Sequence, residues 1–279
     1  MNTVKIRSRG PEVLFLNEIL EKLGYKVYVS DSFGADTDLA VRDFQLKNNL
    51  IVDGQVGLKT WTKLIEKDNL LKGSTDKFLS ENDLRNFASS YNLELAAVKA
   101  VNEVESSGKG FLVVGKPRIL FEGHVFWREL VKRNIDPKQV LNSGNQDILY
   151  EKWTRQYYKG GAGEYERLER AISISPSAAV KEAAYCSASW GAFQIMGYHY
   201  KNIGYDSVFQ FVEKMSEHER EHLDAFGRFI SVASFSGKKL ISWLREKDWE
   251  SFANGYNGSG YKQNKYDIKL QKAYEKYMA

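Results

Sequence analysis

The 279 residues predict a mainly α fold with a small β component (α+β), in two unequal parts: a small three-helix bundle, then a larger helical unit carrying a short β-hairpin. Three observations lead there. Apolar residues recur at helical spacing in several short runs. A polar stretch rich in Lys, Asp, Gly, Ser and Thr, without a sustained period, separates residues 1–70 from residues 80–279 and marks 71–79 as a linker. Only two adjacent runs, Phe111 to Val114 and Pro117 to Glu122, read as strands.

In the first part, Val13, Leu16, Leu20 and Leu23 form one helical stripe that stops at Gly24. A second helix carries Val41 and Phe44 on its apolar face, with Asp36 or Thr37 as candidate cap and Asn48-Asn49 at its end. Asp53-Gly54 marks a turn, and a third helix after Gly57 brings Trp61, Leu64 and Ile65 to a shared core. In the second part, Ser80-x-x-Asp83 before Leu84 has the form of a capping box that opens a new domain.

Composition bounds what such a chain can do. With 43% hydrophobic and 27% charged residues it is neither disordered nor membrane-embedded. The net charge of +4 is spread among 36 acidic residues, which favours an anionic polymer as partner without calling for nucleic acid. The single cysteine, Cys186, excludes an internal disulfide and reads as a small buried apolar residue. The opening residues lack the apolar run of a secretory signal, and no stretch approaches the roughly 20 apolar residues needed to span a bilayer. No stable membrane insertion is expected, and without a heptad or an unusually apolar stripe a monomer is expected.

The chemistry points to a carboxylic acid. Ala97, Val98, Val101 and Val104 share a helical stripe, and Glu105 falls at its edge, where partial burial raises a carboxyl pKa toward neutrality. That suits a general acid for glycosidic cleavage. Glu103 lies on another face near Lys99 and reads as a solvated helix charge. A helix followed by a hairpin can oppose two carboxylates across a cleft, which makes Glu122 the candidate second carboxylate. Its alternative is a structural pairing with Arg118 or His124. Farther on, Ser187 to Gly197 and Phe252 to Tyr261 set polar amides, Gln194 and Asn257, among glycines and aromatics, a composition suited to hydrogen-bonding and stacking a sugar.

Two resemblances follow from these segments. Phe33-Gly34-x-x-Thr37-x-x-Ala40-Val41-x-x-Phe44-Gln45, with Asp53-Gly54-x-Val56-Gly57-x-x-Thr60-Trp61, resembles the type 1 peptidoglycan-binding family over residues 9–67; Asn17 stands where that family often has Gln. Murein binding by a three-helix module is what this resemblance implies. Val104-Glu105-Ser106-Ser107-Gly108, Ile119-Leu120-Phe121-Glu122-Gly123-His124-x-Phe126 and Ser189-Trp190-Gly191-x-Phe193-Gln194-Ile195-Met196-Gly197 resemble the phage N-acetylmuramidase family. That family lies within the superfamily of goose-type lysozymes and lytic transglycosylases.

The second resemblance implies a lysozyme-like fold and hydrolysis of the bond from N-acetylmuramic acid to N-acetylglucosamine, with Glu105 as acid and His124, Trp190, Gln194, Tyr256 and Asn257 as substrate contacts. No cofactor or metal is expected. The order of domains, without signal or disulfide, is similar to that of a modular phage endolysin, held in the host cytoplasm until the membrane is opened. A lytic transglycosylase, and a non-catalytic wall-binding protein of a phage particle, are the alternatives. Two features compete for other roles. His218-Glu219-Arg220-Glu221-His222 matches the zinc string H-E-x-x-H, but with no marked third ligand it reads as a solvated amphipathic helix. The lysines at 262, 265, 269, 272 and 276 could face anionic polymers and otherwise form a solvated helix face.

Overall fold

The computed structural model describes residues 3–71, 77–106, 110–112 and 116–278. The chain divides into two compact units, 1–76 and 77–279. In the first, α1 (Pro11–Lys22), α2 (Ala35–Lys47) and α3 (Leu58–Leu71) enclose a core of Val13, Leu16, Leu20, Val41, Phe44, Trp61 and Leu64. Leu23 caps α1 and Gly24 follows at φ +89°, the left-handed turn expected at a helix C-terminus.

The second helix starts differently from expectation. Gly34 is its N-cap residue and no side chain caps it. Thr37 instead donates its hydroxyl to buried Asn17 (2.8 Å), and Asp36 accepts the N–H of Tyr28 (2.8 Å). Burial explains the difference, because the polar Asn17 side chain inside the core must find partners. Gln45 does similar work: its amide nitrogen reaches Asp53 Oδ1 and the carbonyl of Gln55, each at 2.9 Å, while its oxygen accepts the N–H of Gly54 at 3.0 Å. The Phe-Gln and Asp-Gly segments are thus one hydrogen-bonded corner.

The second unit opens with α4 (Glu81–Ser90), whose Ser80–Asp83 capping box forms as expected. The linker is shorter than expected, since α3 runs to Leu71 and residues 77–79 belong to the second unit: Lys77 Nζ donates to the Ser216 carbonyl and the Leu79 N–H to Glu219. Residues 72–76 lie outside the described part. After α5 (Leu95–Val101) the chain widens into a π turn over Asn102–Ser106. Then follow β1 (Ile119–Phe121), α6 (Gly123–Lys132), α7 (Pro137–Val140), α8 (Gly163–Ile172), α9 (Ala178–Cys186), β2 (Ala188–Trp190) and β3 (Ile195–Met196). The rest is α10 (Val208–Glu217), α11 (Glu219–Val232), the ribbon β4 (Ser234–Phe235) and β5 (Lys238–Lys239), α12 (Leu240–Glu246), α13 (Trp249–Asn257), α14 (Tyr261–Asn264) and α15 (Tyr266–Met278).

The expected hairpin pairs where it is described, the Leu112 N–H donating to the Lys116 carbonyl (2.7 Å) and the Arg118 N–H to the Gly110 carbonyl (2.9 Å), and its second run goes on into a long-range sheet. Phe111 and Pro117 share a single bridge, whereas β1 pairs antiparallel with β2, with Ile119 opposite Trp190, and β2 pairs with β3. Val113 and Val114 of the expected first strand lie outside the described residues. Cys186 is buried, as expected. Its neighbour Arg133 approaches the sulfur at 3.4 Å, and burial raises its thiol pKa to about 12. The lysine-rich tail is part of the fold: Leu270 and Ala273 are buried, and Lys276 and Tyr277 both bond Glu103. Among the described residues no helix is long and apolar enough to cross a membrane.

Candidate active site

Glu105 stands where the helix that carries it loosens. The apolar residues Ala97, Val98 and Val101 bury α5, and the wider π turn that follows carries Glu105 to the wall of a cleft of about 490 Å³. Single π turns inside helices recur at functional positions because the extra residue redirects a side chain without breaking the helix. The cleft is lined by Glu105 with Arg118, Gln194, His199, Tyr256, Asn257 and Tyr266, and by the apolar Val104, Phe193 and Phe229.

The carboxyl is held from one side only. Asn257 Nδ2 donates to Oε2 at 3.2 Å, while Oε1 is shielded from solvent and has no hydrogen-bond partner among the described residues. Burial raises the Glu105 pKa from 4.5 to about 7, outweighing the Asn257 amide and the charge of Lys269, both of which favour the anion. A group so placed carries a proton near neutrality, as a general acid must. Asn257 Oδ1 is likewise buried without a partner among the described residues, leaving a second acceptor for a substrate N–H or O–H.

Gln194 and Tyr256 shape the walls. Gln194 adopts φ +50°, an uncommon backbone state for a residue with a Cβ. Its amide is fixed by the Ser189 hydroxyl at 2.8 Å and by the carbonyl of Gly191 at 2.8 Å. Tyr256 stacks on Phe252 with ring centres 5.7 Å apart and donates to the Phe193 carbonyl at 2.7 Å. Both are committed to protein partners, so they set the shape of the cleft more than they offer free donors.

The other expected residues lie elsewhere. Trp190 is fully buried, stacks on Tyr185 and gives its indole N–H to the Tyr185 carbonyl (3.2 Å), so it is a core residue and does not line the cleft. Glu122 is the N-cap residue of α6 and also does not line it. Four residues beyond the wall residue Arg118, along β1, it is roughly 13 Å further on at the rise of a strand. Both Glu122 oxygens accept from the Tyr158 hydroxyl, at 2.7 and 2.8 Å, and burial raises its pKa. His124 Nδ1 sits 3.3 Å from Glu122 Oε2, yet that nitrogen is buried without an aligned hydrogen bond. Burial lowers its pKa, with the charge of Arg128 acting in the same direction, which keeps the ring neutral.

Beneath this second group lies a buried pair that composition did not mark. Arg167 bonds Glu164 at 2.8 Å and the carbonyl of Phe121 at 2.8 Å, while Glu164 accepts the N–H groups of Phe121, Lys159 and Gly160. It anchors the end of β1 and hence the position of Glu122. Sequence reasoning also missed His199, Tyr266, Phe229 and Arg118 in the cleft wall. His199 follows the matched Gln-Ile-Met-Gly string by two residues, the nearest signal that could have found it.

The zinc-like string proves structural, and the reading of it as a solvated face fails for two members. His222 is buried with both nitrogens engaged, Nδ1 accepting from the Ala192 N–H (3.1 Å) and Nε2 against the Met215 carbonyl (2.6 Å). Glu219 is buried as well and accepts the N–H groups of Gly110 and Leu79, each at 3.0 Å. Gly191, at φ +73°, lets the Gln194 loop approach His222, since a Cβ there would meet the ring at 2.8 Å. No group of three metal-ligating side chains occurs among the described residues.

This arrangement, a buried acid facing a polar, aromatic-walled cleft, accompanies two family matches. Residues 94–278 match the N-acetylmuramidase family, and residues 9–64 match a peptidoglycan binding domain. No curated protein sequence matches. Among solved structures, the crystal structure of the Burkholderia AP3 phage endolysin is similar, with 38% identity over 99% of both chains and a TM-score of 0.66. On the sequence match and the fold together, the chain belongs to the N-acetylmuramidase family, its catalytic unit preceded by a peptidoglycan-binding-type domain.

Proposed function

We propose that the protein is a phage endolysin that hydrolyses the β-1,4 bond from N-acetylmuramic acid to N-acetylglucosamine in bacterial peptidoglycan, with Glu105 as general acid. One observation carries this reading: a buried carboxyl at the cleft wall with pKa about 7, one oxygen held by Asn257 and the other without a hydrogen-bond partner among the described residues. Protonated Glu105 gives its proton to the glycosidic oxygen as the bond to the anomeric carbon breaks, and water adds to that carbon as a hydroxyl, releasing a proton that restores the acid. Asn257 orients the acid and offers Oδ1 to the sugar, while Gln194 and Tyr256 form the walls against which the ring lies.

Glu122 is proposed as the second carboxylate, supporting the water or the positive charge of the transition state. Its half-buried, Tyr158-clamped carboxyl supports this role, which requires that the substrate-bound protein bring it within roughly 10 Å of Glu105 across the scissile bond. His124, beside it, would contact the same part of the substrate. The likeness to a phage endolysin over nearly the whole chain supports accumulation in the host cytoplasm and attack on murein after the membrane is opened.

Mass spectrometry of borohydride-reduced murein digests tests the reaction. Reducible N-acetylmuramic acid ends are the expected product, and 1,6-anhydromuramic ends would replace hydrolysis by intramolecular transglycosylation.

A further inference from the structure

We infer that Arg118 is the residue by which the cleft reads the carboxylate-bearing arm of muramic acid, so that the enzyme prefers murein to an uncharged glycan of the same backbone. The inference rests on the reading of murein as substrate. Arg118 stands immediately before β1, exposed between the buried Pro117 and Ile119, so its side chain turns to the opposite side from theirs. Its backbone is tied on both sides: its N–H donates to the Gly110 carbonyl at 2.9 Å, and its own carbonyl accepts from the Gly191 N–H at 2.8 Å and the Gln194 amide at 3.3 Å. The guanidinium, by contrast, makes no hydrogen bond or ion pair among the described residues. Residues 107–117 contain no Asp or Glu, and Glu122, the first acid after it, turns both oxygens to Tyr158.

An exposed arginine is ordinary on a surface; the place of this one is not. Among the described residues that line the cleft, Arg118 is the only cation and Glu105 the only carboxyl. Because burial keeps Glu105 protonated below about pH 7, the cleft then carries a positive charge with no protein anion to balance it. The chemistry of the substrate supplies one. Cleavage at the anomeric carbon of N-acetylmuramic acid obliges that sugar to sit beside Glu105, and its hydroxyl and acetamido groups are uncharged. Its ionised groups hang from the lactyl arm, whose carboxyl is either free or amide-bonded to a peptide stem with free carboxylates of its own. A guanidinium meets a carboxylate with two parallel N–H donors. Gln194 and Tyr256 cannot take that role, since Ser189, Gly191 and Phe193 already occupy them. A polymer of N-acetylglucosamine has the same backbone and no such arm, and leaves Arg118 unpaired.

The test compares full-length wild type with Arg118→Gln, reading kcat/KM from the muramic acid ends, of either form, released from three substrates. These are glycan strands with intact stems, the same strands with every carboxylate converted to an amide by carbodiimide and ammonia, and strands stripped of stems by an amidase, which frees the lactyl carboxylate. The wild type is expected to exceed the variant about tenfold on intact strands, mostly through KM, and to equal it on amidated strands. Arg118→Lys, which keeps the charge, is expected to recover part of the loss on intact strands only. Because the side chain is exposed and unpaired, both variants should unfold at the wild-type temperature. On stripped strands a tenfold ratio assigns the lactyl carboxylate to Arg118, and a ratio near one assigns a carboxylate of the stem. A ratio that stays tenfold on amidated strands, or lies near one on intact strands, overturns the inference and leaves the murein reading standing. If the wild type releases no muramic acid ends from any of the three, the murein reading falls and this inference with it.

Discussion

Glu105→Gln should inactivate the enzyme and stabilise it in the same step, with a pH dependence that reports the burial of the acid. The carboxyl pKa rises from 4.5 to about 7 in the fold because burial outweighs the Asn257 amide and Lys269. Below pH 4.5 the group is protonated in both folded and unfolded chains, and its contribution to stability is fully present. Between 4.5 and 7 the unfolded chain releases the proton while the folded one retains it, so stability is lost across that window and levels off above it. At 1.36 kcal/mol per pH unit the total loss is about 3 kcal/mol.

Glutamine keeps the shape of the protonated acid and cannot ionise. The variant should therefore match the wild type at pH 4 and exceed it by about 3 kcal/mol at pH 8. For a unit of this size that corresponds to a melting temperature higher by roughly 6–12 °C. Scanning calorimetry at the two pH values measures the difference, and loss of murein turnover by about 10²–10⁴-fold should accompany it. Equal stability at pH 8, or the same gain at pH 4, would mean that the carboxyl is not held protonated by burial, and the acid assignment would lose its physical basis.

Asn257→Ala removes a donor that favours the anion, so the alkaline limb of kcat/KM should move upward by about one pH unit, the equivalent of one hydrogen bond to a charged group; an unmoved limb would separate Asn257 from the acid. Glu122→Gln should lower kcat while Tyr158→Phe, which removes only the hydroxyl clamp, should leave kcat within a few-fold; equal effects would make Glu122 an anchor for residues 150–158. Arg167→Met leaves Glu164 buried without its cation and should destabilise the second unit by about 3–5 kcal/mol in denaturant titration; a loss under 1 kcal/mol would show that the backbone N–H groups alone satisfy Glu164. Chelator should leave activity unchanged, because both His222 nitrogens are already engaged; inhibition reversed by zinc would reopen the metal reading of residues 218–222.

Local signals were legible wherever a short stretch of chain decides the outcome. The three helices of the first unit, the Ser80 capping box, the Asp53-Gly54 turn and the position of Glu105 at the edge of an apolar stripe are all set by neighbours a few residues away. Residues failed to behave as expected where a distant partner intervened. Thr37 leaves its capping role for Asn17, twenty residues earlier, and β1, beyond the local pairing of Phe111 with Pro117, takes β2 as its partner some seventy residues later. His222 looks like an edge residue on its own helix, and the Gly191 loop, the Phe111 ring and the Met215 carbonyl folding against it bury it.

By itself, then, the sequence determined the helical character of the two units and the family they resemble, and it singled out Glu105, Asn257 and Tyr256, because periodicity and matched motifs travel with the residues that carry them. Tertiary structure decided what each of those groups experiences. The elevated pKa of Glu105 comes from burial in a cleft whose walls include Tyr256 and Tyr266, more than 150 residues away, and it stands against the Asn257 amide, which favours the anion. The separation of Glu122 from that cleft and the burial of Trp190 are likewise properties of the packed molecule, since desolvation and distance across a fold depend on neighbours that no local pattern specifies.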